Sequence, residues 1–268
     1  MTASYDRAAL ADALLPLARE AGAAIMAIYA TPFVARSKDD RSPVTDADDA
    51  AEAIILAGLR RLTPDIPVVA EELAARGEAP QVDGGPFWLV DPLDGTREFI
   101  DRNGEFTVNI ALIERGKPVL GVVLAPALDV AWLGTSAGAR RFDRLSGPAG
   151  RPIAARPVPV AGPLVLVSRN HREAAVDAWL QQQLAPETRT VGSSLKFCQI
   201  AEGVADLYPR FVSISEWDTA AGQAVLEAAG GAVVTWGAAA GAAAEGPPLH
   251  YGKADFRNPG FLARGAKG

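Results

Sequence analysis

The run Phe87-Trp88-Leu89-Val90 is wholly apolar and leads directly into Asp91-Pro92-Leu93-Asp94-Gly95-Thr96. An uninterrupted apolar run of this length reads as a strand buried on both faces. Such a strand ends here by delivering two carboxylates, three residues apart, to one point. Carboxylates at the end of a buried strand are rare unless they are paired or ligated. Pro92 stiffens the turn between them, and Gly95 has no side chain to obstruct a ligand approaching the backbone. If Thr96 begins a helix, the N–H groups there attract an anion. A hard cation beside a phosphate would satisfy both demands.

Composition narrows the setting. The chain has 268 residues, 49% hydrophobic and 22% charged, as in ordinary globular proteins. Its net charge of −6 disfavours nonspecific binding to nucleic acid or to an anionic membrane. Cys198 is the single cysteine, which excludes an intrachain disulfide and a thiolate zinc cage. It reads as a small core residue rather than a nucleophile. Met1 to Leu10 lacks a basic segment followed by an apolar one, and no stretch reaches the ~18 apolar residues of a spanning helix. The expected location is the cytoplasm, with peripheral attachment to the inner membrane left open.

Periodicity predicts a helix over Ala8–Tyr29 and a second from Thr45 to about Leu62, ended by Pro64 and Pro67. Residues 67–70 read as a short strand ending at Glu71-Glu72, and 73–85 as a mobile loop. Residues 106–113 and 119–124 read as strands joined by a hairpin turn at Arg115-Gly116-Lys117-Pro118. The Gly-, Pro- and Arg-rich stretch 134–163 is the expected boundary between two halves. Beyond it, strands are expected at 164–167, 205–208 and 233–234. Helices are expected at 172–184, 194–202 and 217–229, the last ended by Gly230-Gly231. The Ala/Gly-rich segment 237–248 reads as a surface loop. Alternation of strands and helices in both halves predicts a layered α/β protein.

Acidic residues stand at element ends in four places: Asp48, Glu71, the pair Asp91/Asp94, and Asp218. Asp48, three residues after Thr45, suits a helix capping box. Glu71 and Glu72 suit solvated loop charges, and Asp218 suits the start of its helix. Only Asp91/Asp94 resists an ordinary structural reading. The only histidines are His171 and His250, so an all-oxygen site favours Mg²⁺, Mn²⁺ or Ca²⁺ over zinc. Two cations about 4 Å apart can clamp both the attacking and the leaving oxygen of a displacement at phosphorus.

The segments Val44-Thr45-Asp46-Ala47-Asp48, Glu71-Glu72, Asp91-Pro92-Leu93-Asp94-Gly95-Thr96 and Trp217-Asp218-Thr219-Ala220-Ala221-Gly222 occur in this order. Together they resemble the inositol monophosphatase-like superfamily of Mg²⁺-dependent, lithium-sensitive phosphatases, over about residues 38–259. The resemblance implies one domain, 1–268, folded as a layered αβαβα sandwich. Its subregions would be roughly 1–140, with the metal and catalytic motifs, and 160–268, with substrate-binding residues and the last metal ligand. It implies two or three Mg²⁺ ions. Glu71, Asp91 and the carbonyl of Leu93 would hold one; Asp91, Asp94 and Asp218 would hold a second. Thr96, oriented by Asp48, would activate the attacking water. The N–H groups of Gly95 and Thr96 would bind the phosphate.

Within the superfamily, Arg97-Glu98-Phe99-Ile100, Asn103-Gly104-Glu105-Phe106-Thr107-Val108-Asn109, Ser168-Arg169-Asn170-His171, Ser193-Ser194-Leu195-Lys196-Phe197-Cys198 and Leu207-Tyr208-Pro209-Arg210 resemble the bacterial 3′(2′),5′-bisphosphate nucleotidases. Inositol monophosphatases usually carry Thr-Asn-Phe where this chain has Arg97-Glu98-Phe99. This implies removal of the 3′-phosphate of adenosine 3′,5′-bisphosphate to give AMP in sulfur assimilation, with 3′-phosphoadenylyl sulfate as a further substrate. Inositol monophosphate is the alternative. Ser193 and Lys196, on one helix face, would bind the phosphate that is not cleaved, with Arg210 and His171 nearby and Asp218 also meeting the substrate. The resemblance points to a monomer whose partner is a small nucleotide, not a nucleic acid. The loop Ser213-Ile214-Ser215-Glu216 departs from the asparagine- or proline-containing versions of the family pattern.

Overall fold

A computed structural model describes residues 5–37, 43–143, 149–170, 173–237 and 244–267. In chain order its first half holds α1 (Arg7–Tyr29), β1 (Arg36–Ser37), β2 (Pro43–Val44), α2 (Asp46–Leu62), β3 (Val68–Ala70), α3 (Glu71–Ala75), β4 (Phe87–Asp94) and α4 (Thr96–Ile100). There follow β5 (Thr107–Glu114), β6 (Lys117–Ala125), β7 (Val130–Thr135), β8 (Gly138–Phe142) and β9 (Arg151–Ile153). The second half holds β10 (Leu164–Ser168), α5 (Ala174–Leu180), β11 (Glu187–Val191), α6 (Leu195–Ala201), β12 (Leu207–Arg210) and β13 (Ile214–Ser215). It closes with α7 (Trp217–Ala228), β14 (Ala232–Gly237), β15 (Ala244–Pro248), β16 (Arg257–Asn258) and β17 (Phe261–Arg264).

Two sheets carry the architecture. The first runs β3-β4-β5-β6-β7-β8-β9, parallel only between β3 and β4. The second runs β11-β10-β12-β17-β14-β15, with β10 parallel to both its neighbours. Period-2 alternation sorts the side chains of β4, β5 and β6 onto two faces. Trp88, Val90, Val108, Ile110, Leu112, Val122 and Leu124 pack beneath α1 and α2. Phe87, Leu89, Ala111, Ile113 and Val123 face the opposite core, which holds α6 and α7. In the second sheet Leu164 and Leu166 join that same core, while Val165 and Val167 pack with Val176 and Trp179 of α5. The layers are therefore helix, sheet, helix, sheet, helix, and the expected αβαβα sandwich is the observed one.

The close approach of α7 to the first sheet fixes small residues. A Cβ on Gly134 of β7 would lie 2.4 Å from the carbonyl oxygen of Ala224, and one on Gly121 of β6 2.8 Å from that of Ala221. This contact sets the height of α7, whose first turn carries Asp218. The hairpin between β5 and β6 turns at Arg115 and Gly116, φ 50° and 72°, the conformation a two-residue turn demands.

Several expectations shift. The segment 73–85 begins as helix, because α3 takes Glu71–Ala75. Glu52 of α2 accepts from the N–H groups of Glu72 (2.9 Å) and Leu73 (3.4 Å), supplying acceptors for helix-start donors that α3 lacks. The stretch 134–163 is no simple boundary, since β8 and β9 extend the first sheet to Ile153. Part of the expected loop 237–248 is strand, β15 pairing with β14, and residues 238–243 lie outside the described residues. Strands β11 and β17 had no clear signal. β11 is mostly exposed and polar, and β17 is only four residues long.

Candidate active site

The motifs converge on one cavity of about 230 Å³, lined by Glu71, Asp91, Leu93, Asp94, Gly95, Thr96, Ser193, Lys196, Arg210 and Asp218 among others. Each acid arrives at an element end. Glu71 opens α3 where β3 stops, Asp91 and Asp94 close β4, and Asp218 lies in the first turn of α7. Carboxylate oxygens of Glu71, Asp91 and Asp218 all lie within 4.8 Å of one another. Asp91 is 1% exposed, and one of its oxygens accepts from the Leu93 N–H at 3.0 Å. That bond turns the Leu93 peptide at the base of the acidic cluster.

Asp94 lines the same cavity with one oxygen already engaged. Its Oδ2 accepts from the Ser194 N–H (2.7 Å), the Ser194 hydroxyl (2.8 Å) and Asn109 Nδ2 (3.4 Å). Asn109 and Ser194 were not among the expected site residues. Their signal was faint: an asparagine inside the otherwise apolar run of β5, and a serine in a Ser-Ser pair.

Asp48 serves two partners, one with each oxygen. Oδ2 accepts from the Thr45 N–H (2.7 Å) and the Thr45 hydroxyl (2.8 Å), completing the capping box of α2. Oδ1 accepts from the Thr96 hydroxyl at 3.3 Å. Capping α2 therefore leaves the other oxygen of Asp48 free to meet Thr96. Burial pushes its carboxyl up to about 7, against the lowering effect of the Thr45 bonds. Gly95 precedes α4 with φ 92°, a left-handed conformation that a side chain would strain, so the backbone turns sharply between Asp94 and Thr96.

The cavity lining also holds cations, Lys196 and Arg210. Lys196 is 2% exposed and donates to the carbonyls of Ser193 (2.7 Å) and Val191 (3.1 Å). Burial, and Arg210 nearby, lower its ammonium to about 8 against the pull of Asp94. Arg210 Nε and Ser193 Oγ are buried without hydrogen-bond partners on this wall. Ser193 corrects an expectation. It does not share a helix face with Lys196, because it lies ahead of α6 with φ 45°. The left-handed turn still carries it to the cavity. His171 lies outside the described residues.

The donor set fits a hard divalent cation. It is all oxygen, and it is short of positive charge: burial, then the charges of Asp94 and Glu71, push the Asp218 carboxyl well above its ordinary range. Acids and cations lining one cavity suit a polyanionic substrate held partly through metal and partly through side chains.

A sandwich with this acidic centre defines a class of metal-dependent phosphatases, and the sequence profile of the inositol monophosphatase family matches residues 6–261. The chain belongs to that family. It is 49% identical over 253 residues to the 3′(2′),5′-bisphosphate nucleotidase CysQ of Escherichia coli K12, covering 93% of this chain and 97% of that protein. It is 31% identical to the nucleotidase of the same name from Haemophilus influenzae, covering 84% of this chain and 83% of that protein. Among solved structures it resembles CysQ from Bacteroides thetaiotaomicron, with TM-score 0.77 and 34% identity, covering 97% and 98% of the two chains. It also resembles an inositol monophosphatase from Anabaena, with TM-score 0.73 and 27% identity, covering 96% and 90%. No helix among the described residues is long and apolar enough to cross a membrane.

Proposed function

We propose that this chain is a Mg²⁺-dependent 3′(2′),5′-bisphosphate nucleotidase that converts adenosine 3′,5′-bisphosphate to AMP and phosphate. The observation that carries this reading is that the buried cations Lys196 and Arg210, with the unpartnered Ser193 hydroxyl, line the same cavity as the acidic centre. A monophosphate gives those groups nothing to bind. A second phosphate satisfies them, and 49% identity to a nucleotidase over 93% of the chain agrees.

Glu71, Asp91, Asp218, Asp94 and the Leu93 carbonyl would hold two or three Mg²⁺ ions. When bound, these supply charge for the phosphate oxygens in the transition state and make water more acidic. The chain's own groups do the rest. The Thr96 hydroxyl donates towards Asp48, with a weaker alternative at the Leu93 carbonyl (3.4 Å). Its lone pairs are thereby aimed away from Asp48, where they accept a hydrogen from the attacking water. As the new O–P bond forms, the water proton passes through Thr96 to the Asp48 carboxylate, and the bond to the ribose 3′-oxygen breaks. The departing alkoxide takes a proton from solvent, leaving AMP. Gly95 and Thr96 N–H groups meet the reacting phosphate at the turn. Lys196, Ser193 and Arg210 grip the 5′-phosphate and fix which end reacts.

Product identity tests this reading. With Mg²⁺, phosphorus NMR should show AMP and one equivalent of phosphate. Accumulation of adenosine 3′-phosphate would mean that the gripped and cleaved ends are reversed. Thr96→Ala should lower kcat by about 10²-fold with little change in KM, since it removes the proton relay and not the grip.

A further inference from the structure

Glu216 stands immediately before α7, two residues ahead of Asp218, yet its carboxylate does not cap that helix. It is fully buried and turned towards the loop that follows β15. There Oε2 accepts from the Gly252 N–H at 2.7 Å. Oε1 accepts from the Lys253 N–H at 3.1 Å and from the Lys253 ammonium at 2.6 Å. The same ammonium donates to Asn258 Oδ1 at 2.7 Å and to the His250 carbonyl. Asn258 Nδ2 donates to the Thr219 hydroxyl at 2.8 Å, and that hydroxyl donates to the Glu216 carbonyl at 3.0 Å. A closed ring of four side chains thus surrounds the turn on which Asp218 sits. The Glu216 N–H adds a bond to the Phe256 carbonyl at 2.8 Å.

The ring has a consequence for the metal site. Packing against Gly121 and Gly134 fixes the height of α7 over the sheet, but those contacts lie along the helix body and leave its first turn to be fixed by other groups. Asp218 must bring an oxygen within reach of Glu71 and Asp91 against mutual repulsion. A turn loaded in that way needs a rigid brace, and groups outside the coordination shell commonly set metal affinity by orienting the ligands. A fully buried Glu216 with no cation would add a further negative charge beside the site. Lys253 supplies the compensating charge and ties it to the loop.

We propose that Glu216 and Lys253 are positioning residues that act through Asp218 to set metal affinity. The proposal rests on the reading of Asp218 as a metal ligand. Its test is Mn²⁺ binding to the full-length protein without substrate, followed by electron paramagnetic resonance of the free ion. The KM for adenosine 3′,5′-bisphosphate is measured separately at saturating metal.

Lys253→Met should weaken Mn²⁺ binding by about 10-fold or more, while KM at saturating metal stays within about twofold. Glu216→Gln keeps an acceptor for the Gly252 N–H and provides a folded variant if Lys253→Met does not fold. It should weaken binding in the same direction. The double variant should bind no more weakly than Lys253→Met alone, because the two act as one unit. Folded variants whose Mn²⁺ affinity stays within about twofold of the parent, or whose losses multiply in the double variant, overturn the proposal. The reading of the acidic centre as a metal site survives that result. A parent protein that binds no Mn²⁺ overturns both.

Discussion

Asp218→Asn is expected to abolish phosphate release while making the metal-free protein more stable. The two effects share one cause. Burial, with Asp94 and Glu71 close by, pushes the Asp218 carboxyl well above the usual carboxylate range. Its ionised form is therefore disfavoured in the folded protein. An acid whose folded pKa is raised supports folding below its unfolded pKa, and that support is lost as pH rises through the folded value. At neutral pH the metal-free fold therefore bears the cost of holding this carboxyl against ionisation, a cost absent from the unfolded chain. Asparagine keeps the shape and removes the charge, so the metal-free Tm should rise by about 2–4 °C, for a gain of about 1 kcal/mol. Added Mg²⁺ should raise the Tm of the parent protein by mass action and move that of the variant far less. Turnover should fall by at least about three orders of magnitude, because the lost carboxylate would hold a metal ion whose positive charge acts where negative charge develops. Differential scanning with and without Mg²⁺, beside a phosphate assay, reads both effects. A variant that is less stable without metal would show that the cluster is not under electrostatic strain.

The second large effect concerns substrate choice. Lys196→Met should lower kcat/KM for adenosine 3′,5′-bisphosphate by about 10²-fold, the scale of one buried charge-assisted contact. Inositol monophosphate turnover, which offers this wall no second phosphate, should change by less than about tenfold. The parent protein should show a matching pH dependence. The Lys196 ammonium is lowered to about 8, so raising the pH through that value neutralises Lys196 and leaves the wall only the charge of Arg210. KM for the bisphosphate should then rise with pH, and Lys196→Met should flatten that rise. Equal losses on both substrates would remove Lys196 from substrate discrimination.

Much of the site was legible because its acids stand at punctuated places. Asp91-Pro92-Leu93-Asp94-Gly95-Thr96 follows an apolar strand, and the structure brings Glu71 and Asp218 to it as the motif order implied. Asp48 reads as either a cap or a functional group, and its two oxygens bond the cap residue Thr45 and the cavity residue Thr96. What could not be read depended on through-space partners. Nothing in the local pattern links Glu52 to Glu72, 20 residues on, or Ser194 to Asp94, 100 residues back. Ser193 was placed on a helix by its spacing from Lys196, but its left-handed backbone is fixed by the loop around it, not by its own propensity. Likewise β8 and β9 carry the Gly- and Pro-rich composition of a linker, yet pair because β7 offers an open edge.

The most direct measurement is the initial rate of phosphate release from adenosine 3′,5′-bisphosphate and from inositol monophosphate at equal concentrations, each with Mg²⁺ and with a chelator. The account predicts Mg²⁺-dependent release from both or from the bisphosphate alone, with kcat/KM for the bisphosphate higher by at least about tenfold, one charged contact's worth. Equal or greater use of inositol monophosphate, or release that persists without divalent metal, would contradict it.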